Sequence, residues 1–350
     1  MLCQITYRKL YKGASMITLK EIAQFAGVST STVSRALNND LRISFSQRQR
    51  IHQIADEHHY TKHIVKAVPA SAPCGFPLRN IGMIVPEINS GYYSRLVDTA
   101  AAYFAKYSYS ILLRLSCFDL QTLLLHIVGF SHLEIDGLLI VIDDAEAITD
   151  EVYQAIEKTR LPVILITAQY QPHMDYDSIY VDEKRGIREG LEHLRDRGYR
   201  RIGFVGEKMT HGRLSAFRDI LQELSLPLCE ELVLINSSRA EECGYEGMKA
   251  LLRANTHPDA VFAGYDQIAI GALKAIDEAG LRIPDDIAVI GFDNIVLSGY
   301  IHGGLTTIDP ALEDMISIGV RILLNRINRE LETVPQQIAL KPELIIRRTT

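Results

Sequence analysis

Residues 17–40 read ITLKEIAQFAGVSTSTVSRALNND, and this stretch decides the fold of the N-terminal part of the chain. Thr18 and Glu21 have the spacing of a capping box, which predicts that a helix begins there. The apolar positions that recur at helical spacing are Leu19, Ile22, Ala23 and Ala26. Gly27 ends this helix, and a tight turn then leads to a second helix from about residue 30 to residue 38.

The second predicted helix has one apolar face and one polar face. The apolar positions are Val33, Ala36 and Leu37, and the polar positions are Thr30, Ser31, Ser34 and Arg35. A third helix is predicted from Ser44, with Ile51, Ile54 and Ala55 directed inward. Two short helices joined by a glycine-containing turn indicate a helix-turn-helix, in which the second helix enters the major groove of DNA. The alternative is a small helical hairpin whose polar face is only solvated.

The charge distribution favours a nucleic-acid partner for the N-terminal part. The 350 residues carry a net charge of −6, but residues 1–68 carry ten Lys or Arg and four Asp or Glu, a net +6. The rest of the chain is therefore at −12. A basic head on an acidic body is typical of a DNA-binding module joined to a second function.

The run AGVSTSTVSRALN at residues 26–38 resembles the DNA-binding head of the lactose and galactose repressor (LacI/GalR) family. This resemblance implies that Thr30, Ser31 and Arg35 read bases. It also implies the order of head, hinge helix and sugar-binding-protein-like core. The full set of predicted DNA-binding residues is Thr18, Ser29, Thr30, Ser31, Thr32, Ser34, Arg35, Asn38, Tyr60, Lys62 and Lys66.

The hinge departs from the family pattern. Tyr60 is present, but Lys62 and His63 stand where relatives carry Pro and Asn. Lys62 and Lys66 are one helical turn apart and would lie along phosphates. The alternative is a plain tether without an ordered hinge helix, because Pro69 falls near the position of the family's wedging Leu and further prolines follow.

The body of the chain alternates apolar, β-rich runs with amphipathic helical runs, which predicts two parallel sheets covered on both faces. The predicted fold is therefore α/β: a three-helix helix-turn-helix head, then a two-lobed core of two doubly wound parallel sheets, like periplasmic binding proteins. The predicted divisions are a disordered upstream extension at 1–15, a DNA-binding domain at 16–62, a hinge and linker at 63–79, and a core at 80–350. The family resemblance further implies that the chain crosses between lobes near residues 177, 306 and 335, with lobe 1 at about 80–176 and 308–335 and lobe 2 at about 177–307 and 336–350.

Candidate ligand residues lie after predicted strands, where parallel sheets bind ligands. By resemblance to the family, Asp293 and Arg213 would grip effector hydroxyls, and Tyr92 would stack on the ligand. Tyr265 and Asp266 stand where the family has Asn or Ser followed by Asp, and Asp266 alternatively caps its own helix. Arg239 stands where some relatives carry an aromatic lid, and a second arginine would favour a ligand with a negative group, such as a uronate or a phosphosugar.

Other classes of protein find no support in the sequence. The chain has no apolar run long enough for a membrane span, no phosphate-binding or nucleophile motif and no pair of metal-ligand cysteines, so no enzyme activity, cofactor or metal is predicted. The five cysteines are expected to be reduced thiols, and the protein is expected to be cytoplasmic. The apolar helix IAIGALKAI at 268–276 suits either a dimer surface or the core.

We therefore expect a transcriptional regulator, most simply a repressor of carbohydrate-utilisation genes. It would bind a pseudo-palindromic operator in double-stranded DNA as a homodimer and respond to a sugar-like effector in the cleft between lobes. Residues 111–139 also resemble the subgroup around the evolved β-galactosidase repressor, which implies a β-galactoside or related glycoside. The alternatives are a cytosolic solute-binding protein with a weakly coupled DNA-binding head, and an enzyme on the same frame.

Overall fold

The computed structural model divides into two compact units, residues 1–75 and residues 76–350, which are described separately. Residues whose structure is described are 19–37, 43, 44, 47, 48, 50, 51, 54, 79–143, 147–167, 175–254, 257–330 and 334–350. Most of the predicted linker and the upstream extension lie outside these ranges.

The N-terminal unit contains the predicted pair of short helices, α1 (Leu19–Ala26) and α2 (Thr30–Leu37). Gly27 in the turn has φ +69°, a left-handed conformation that glycine adopts without a steric cost. Ser29 caps α2, because its Oγ accepts a hydrogen bond of 3.1 Å from the Thr32 N–H. Residues 47, 48, 50, 51 and 54 are also helical.

A small apolar core confirms the predicted inward faces of this unit. Its buried members are Ile22, Ala23, Val33, Ala36 and Ile51. Ala26 and Ile54 pack against it, and the side chains of Leu19, Leu37 and Ala55 lie outside the described residues.

The larger unit alternates strands and helices. Its strands are β1 (Arg79–Val85), β2 (Tyr109–Leu115), β3 (Gly137–Ile142), β4 (Val163–Thr167), β5 (Asp177–Val181), β6 (Ile202–Glu207), β7 (Val233–Asn236), β8 (Ala260–Ala263), β9 (Ala288–Phe292), β10 (Thr306–Asp309), β11 (Gln337–Leu340) and β12 (Glu343–Ile345). Its helices are α3 (Gly91–Ala105), α4 (Leu120–Phe130), α5 (Asp150–Thr159), α6 (Glu183–Asp196), α7 (His211–Glu223), α8 (Ala240–Arg253), α9 (Asp266–Glu278) and α10 (Leu312–Ile327). Short 3₁₀ helices lie at Lys208–Thr210, Glu230–Leu232, Val296–Gly299 and Ile301–Gly303.

The strands form two six-stranded sheets, one in each lobe. Lobe 1 has the order β11-β5-β4-β3-β1-β2, and all its pairs are parallel. Lobe 2 has the order β12-β10-β9-β8-β6-β7, in which only the β10–β12 pair is antiparallel. The central strands are covered on both faces; for example, every residue of β3 is buried.

The chain crosses between lobes a few residues later than the sequence predicts. We expected crossings near residues 177, 306 and 335, but β5 belongs to lobe 1, β10 to lobe 2 and β11 to lobe 1. The crossings therefore follow residues 181, 309 and 340. An apolar strand pattern does not say which sheet the strand joins. Ile179 and Val181 of β5 are members of the lobe 1 core.

The structure assigns helix α10 to lobe 1, as the lobe divisions imply, and it places most of the apolar face of helix α9 in the core. Helix α10 returns to lobe 1, where Met315, Ile316 and Leu323 are buried in its core. Helix α9, which includes the apolar run at 268–276, lies against α8 so closely that a Cβ at Gly271 would be 1.9 Å from the Glu241 backbone oxygen. Most of the apolar residues of α9 are thus core residues within one chain.

Candidate functional site

The outward face of α2 presents the residues predicted to read DNA. Thr30, Ser31 and Arg35 are exposed, whereas Val33 and Ala36 of the same helix are buried. Ser29 and Thr32 are engaged with each other at the start of the helix, where their side-chain oxygens are 2.8 Å apart. The predicted residues that lie outside the described residues are Thr18, Asn38, Tyr60, Lys62, Lys66 and the Ser34 side chain.

A cleft of about 820 Å³ opens between the two lobes of the larger unit. Side chains that follow strands of both sheets line it, including Asp143 after β3 in lobe 1, and Glu207 at the end of β6 and Tyr265 after β8 in lobe 2. Carboxyl ends of parallel strands are the usual ligand-binding edge of such sheets. Its size is within the range of small-molecule sites.

Arg213, in the first turn of α7, is the centre of one charged group in the cleft. Its guanidinium donates to Glu183 Oε1 at 2.6 and 2.8 Å and to the Gly264 carbonyl at 2.7 Å, and its Nη1 is 3.4 Å from Asp293 Oδ1. The guanidinium carbon also lies 3.9 Å from the Phe292 ring centroid. Desolvation opposes its charge, but attraction to Glu183 and Asp293 outweighs this and raises the pKa of Arg213.

Asp293 follows β9, as the sequence predicts, and its side chain is only 10% exposed. Its backbone has φ 101°, an uncommon conformation for a residue with a Cβ, and Asn294 has φ 45°. Such conformations cost about 1–3 kcal/mol and persist where surrounding bonds hold them. Here Asn294 donates to Asp309 Oδ2 at 2.6 Å and accepts from Arg347 at 2.7 Å. Burial raises the pKa of Asp293, and Arg213 only partly opposes this.

Asp266 lies behind the cleft rather than in it. It is fully buried, and its carboxylate accepts hydrogen bonds from the Ile295 N–H at 2.9 Å and from the hydroxyls of Ser298 and Thr307, each at 2.5 Å. Two expectations for this residue need correction: it does not line the cleft, and Tyr265 rather than Asp266 is the N-cap of α9. Its bonds instead anchor the segment that carries Asp293. Burial raises the pKa of Asp266 to about 6.

Tyr265 and Arg239 meet at the Glu207 carboxylate. The Tyr265 hydroxyl donates to Glu207 Oε1 at 2.5 Å and accepts from the Ala240 N–H at 3.0 Å. Arg239 Nε lies 3.1 Å from the same oxygen of Glu207, whose side chain is 4% exposed. Tyr265, which departs from the family pattern, therefore lines the cleft while bonded to a buried acid of the same lobe. Burial and this hydrogen bond raise the pKa of Tyr265.

Arg239 also crosses the cleft from lobe 2 to lobe 1. Its Nη1 is 3.3 Å from Glu87 Oε2, and its guanidinium carbon lies 4.3 Å from the Phe118 ring centroid. Glu87 follows β1 and Phe118 follows β2, so both belong to lobe 1. Arg239 is thus held by two carboxylates of the protein, and this pairing does not favour the negatively charged ligand that a second arginine led us to expect.

Tyr92 and Tyr93 open α3 on the lobe 1 side. Their rings make an edge-to-face contact with centroids 5.2 Å apart. The Tyr93 hydroxyl donates to the Asp143 carboxylate, while the Tyr92 hydroxyl has no hydrogen-bond partner among the residues that the structure describes. Burial is the main cause that raises the pKa of Asp143 to about 6. The structure therefore brings Tyr92, Arg213, Arg239 and Tyr265 to the cleft, as the sequence predicts, with Asp293 beside it.

Sequence reasoning missed five acidic residues of the cleft, which are Glu87, Asp143, Glu183, Glu207 and Glu241. The first four lie at or just after the C-terminal end of a strand, so the strand-end rule that selected Asp293 would have found them too. Glu241 lies in the first turn of α8, where that rule does not apply. The charge pairs that involve them join distant parts of the chain and leave no local pattern.

Comparison with known proteins finds two family models that match separate parts of the chain. Residues 18–63 match the model of bacterial regulatory proteins of the lacI family, and residues 191–350 match a periplasmic binding protein-like domain. The transcriptional regulator DegA of Bacillus subtilis (strain 168) is 29% identical over 95% of this chain and 98% of its own length. The ribose operon repressor of Haemophilus influenzae is 28% identical with the same coverage.

Solved structures agree on the fold. The lac repressor dimer bound to operator and the anti-inducer ONPF superposes with a TM-score of 0.69, at 24% identity over 96% of this chain and 99% of that one. A complex of the regulator CelR with cellobiose gives a TM-score of 0.67 over 95% of this chain and 100% of that one, at 23% identity. Residues 18–63 therefore carry the sequence of a lacI-type DNA-binding head, residues 191–350 carry that of a periplasmic binding protein-like core, and the chain is a DNA-binding transcriptional regulator.

The residues that the structure describes contain no helix long and apolar enough to cross a membrane. They also contain no cluster of His, Cys, Asp or Glu side chains arranged to hold a metal ion. Cys117, Cys229 and Cys243 are free thiols.

Proposed function

We propose that this regulator is a repressor of carbohydrate-utilisation genes, switched by a small hydroxylated ligand that binds in the cleft between the lobes. The observation that carries the proposal is the cleft itself, where buried carboxylates, a guanidinium and the Tyr92 hydroxyl, which has no partner within the described ranges, meet at the carboxyl ends of two parallel sheets. Carboxylate and guanidinium groups suit sugars, since each can bond two neighbouring hydroxyls. The relatives named for ribose and cellobiose support this class of ligand.

We further propose that α2 reads the operator. Its exposed Arg35 can form two hydrogen bonds to a guanine, and Thr30 and Ser31 can contact base edges or phosphates. A homodimer would place one α2 on each half of a pseudo-palindrome, as the solved lac repressor dimer on its operator suggests. Because its DNA partner is there, we place the protein in the cytoplasm. The hinge contacts from Tyr60, Lys62 and Lys66 remain part of this proposal.

Ligand binding would act by favouring one arrangement of the lobes. A ligand shifts this equilibrium only by as much as its affinities for the two arrangements differ. The proposed contacts are Asp293 and Arg213 from lobe 2 and Tyr92 from lobe 1, so the ligand joins both lobes. A β-galactoside or related glycoside is the first ligand to test, on the strength of the subgroup resemblance.

The test combines DNA and ligand in one titration. Wild-type protein is bound to a labelled operator found by selection from random DNA, and a panel of mono- and disaccharides is added while fluorescence anisotropy is recorded. We expect one sugar to release the DNA. An Asp293→Ala variant should bind the operator normally and fail to respond to that sugar. If Asp293→Ala responds like wild type, the proposed ligand site is wrong.

A further inference from the structure

The two arginines of the cleft are already neutralised by the protein. Arg213 pairs with Glu183 and Asp293, and Arg239 pairs with Glu207 and Glu87. Each guanidinium therefore faces two carboxyl groups. An anionic ligand would have to displace one of these acids or share an arginine with it. The charge of the cleft consequently does not favour a carboxylate or phosphate.

Asp143 adds a further carboxyl group without adding a cation. It follows β3 at the lobe 1 side of the cleft and has no ion-pair partner among the described residues. The Tyr93 hydroxyl donates to it, which leaves most of its acceptor capacity unused. Arg213 is near enough to favour its charged form, although burial opposes that charge more strongly. The hydroxyl of Tyr92 shares this corner and has no bond within the described part of the chain.

We propose that Asp143 is a specificity-determining residue of the cleft: it requires the ligand to present a hydrogen-bond donor, either a hydroxyl or a protonated amine, and it excludes ligands with an anionic group at that point. The Tyr92 hydroxyl completes this subsite, since it can donate to or accept from the same ligand. This inference rests on the proposed function, because it concerns the ligand of the same cleft.

The physical reason is the cost of a buried charge without a partner. A carboxylate removed from water is unfavourable unless donors surround it, and hydrogen bonds to an ionised acceptor are about twice as strong as neutral ones. A ligand donor against Asp143 supplies that partner. A ligand anion at the same point would add repulsion to desolvation, and the neighbouring arginines are already engaged. Amine, hydroxyl and acid should therefore bind in that order.

The experiment compares three ligands that share one ring and differ in charge. Galactosamine, galactose and galacturonate are titrated into the full-length protein at pH 7.5 by isothermal titration calorimetry. In wild type we expect galactosamine to bind about tenfold or more tightly than galacturonate, with galactose between them. The same series with glucosamine, glucose and glucuronate removes dependence on the stereochemistry at one hydroxyl.

Asp143→Asn is the informative variant, because it keeps the shape and the acceptor for Tyr93 but removes the charge. We expect the ratio of amine to acid affinity to fall by about tenfold in this variant. Asp98→Asn is the matched control: it removes one exposed charge from α3 of the same lobe, outside the cleft, and should leave the ratio unchanged. Thermal melting of both variants shows whether the fold is retained.

Each outcome decides between the claims. If acids bind as tightly as amines in wild type, or if the ratio is the same in Asp143→Asn, the role of Asp143 is refuted while a sugar effector still stands. If no member of either series binds at millimolar concentration while operator binding is intact, a monosaccharide ligand is refuted and this subsite with it, while a glycoside or disaccharide effector still stands. A lower ratio in Asp143→Asn alone supports the assignment.

Discussion

Replacing Arg213 with Ala should destabilise the larger unit strongly, because the arginine compensates two buried acids. The side chains of Arg213, Glu183 and Asp293 are only 18, 13 and 10% exposed. Removing one partner of a buried ion pair costs about 3–5 kcal/mol, since the remaining charge has no compensation. Burial raises the pKa of Asp293, so this carboxyl group can take up a proton when Arg213 is removed. The main cost is then the buried Glu183 carboxylate without a cation, and we use the lower end of the range.

The assay is thermal unfolding of purified wild type and variant under identical conditions. For a unit of this size, 1 kcal/mol shifts the melting temperature by about 2–4 °C, so we expect a decrease of about 6–12 °C. Arg218→Ala is the matched control, because Arg218 pairs with Glu230 in the same lobe while 42 and 62% exposed. An exposed pair of this kind contributes about 0–1 kcal/mol. Equal melting temperatures for the two variants would refute the compensating role of Arg213.

Three further predictions concern the lobes, the buried acid and the DNA-binding surface. Glu87→Gln removes the ion pair with Arg239 that joins the two lobes. We expect the ratio of molecules with the lobes closed on the cleft to molecules with the lobes apart to fall by up to about fivefold. Unchanged distances between the lobes, measured by fluorescence energy transfer, would contradict this. Relative to Asp266→Asn, wild type should lose up to about 3 kcal/mol of unfolding free energy as the pH rises from 4 to 6. The reason is that the folded state favours protonated Asp266 up to its raised pKa of about 6. Parallel pH profiles of the two proteins in urea unfolding would contradict this. Arg35→Ala should cost about 1–3 kcal/mol of operator affinity and relax base preference at one position, which competition with operator variants measures, and an unchanged ranking of variants would count against base contact.

Local patterns predicted the elements of this protein well. The helical spacing of Ile22 and Ala23, and of Val33 and Ala36, identified both helices of the head and their buried faces. Continuous apolar runs identified the central strands, since a strand covered on both faces has no polar side. These features depend on residues a few positions apart, which is the range over which sequence periodicity carries information.

The assembly of strands and the partners of the cleft residues depend on distant parts of the chain. Nothing in the run at residues 177–181 shows that it pairs with β4 of lobe 1 rather than with a lobe 2 strand. Arg239 meets Glu87, 152 residues away, so its neutralisation could not be read from its surroundings in the sequence. Asp266 has the pattern of a helix cap, yet its bonds to Ser298 and Thr307 come from loops that only the fold brings together.

The central claim is that one chain reads a specific DNA sequence through α2 and is switched by a ligand in the cleft. Selection of random double-stranded DNA by the full-length protein, with and without the sugar that raises its melting temperature most, tests both parts together. We predict enrichment of a pseudo-palindrome that Arg35→Ala weakens and that the sugar changes in wild type but not in Asp293→Ala. Enrichment that is absent, or that the sugar changes equally in Asp293→Ala, would contradict the account.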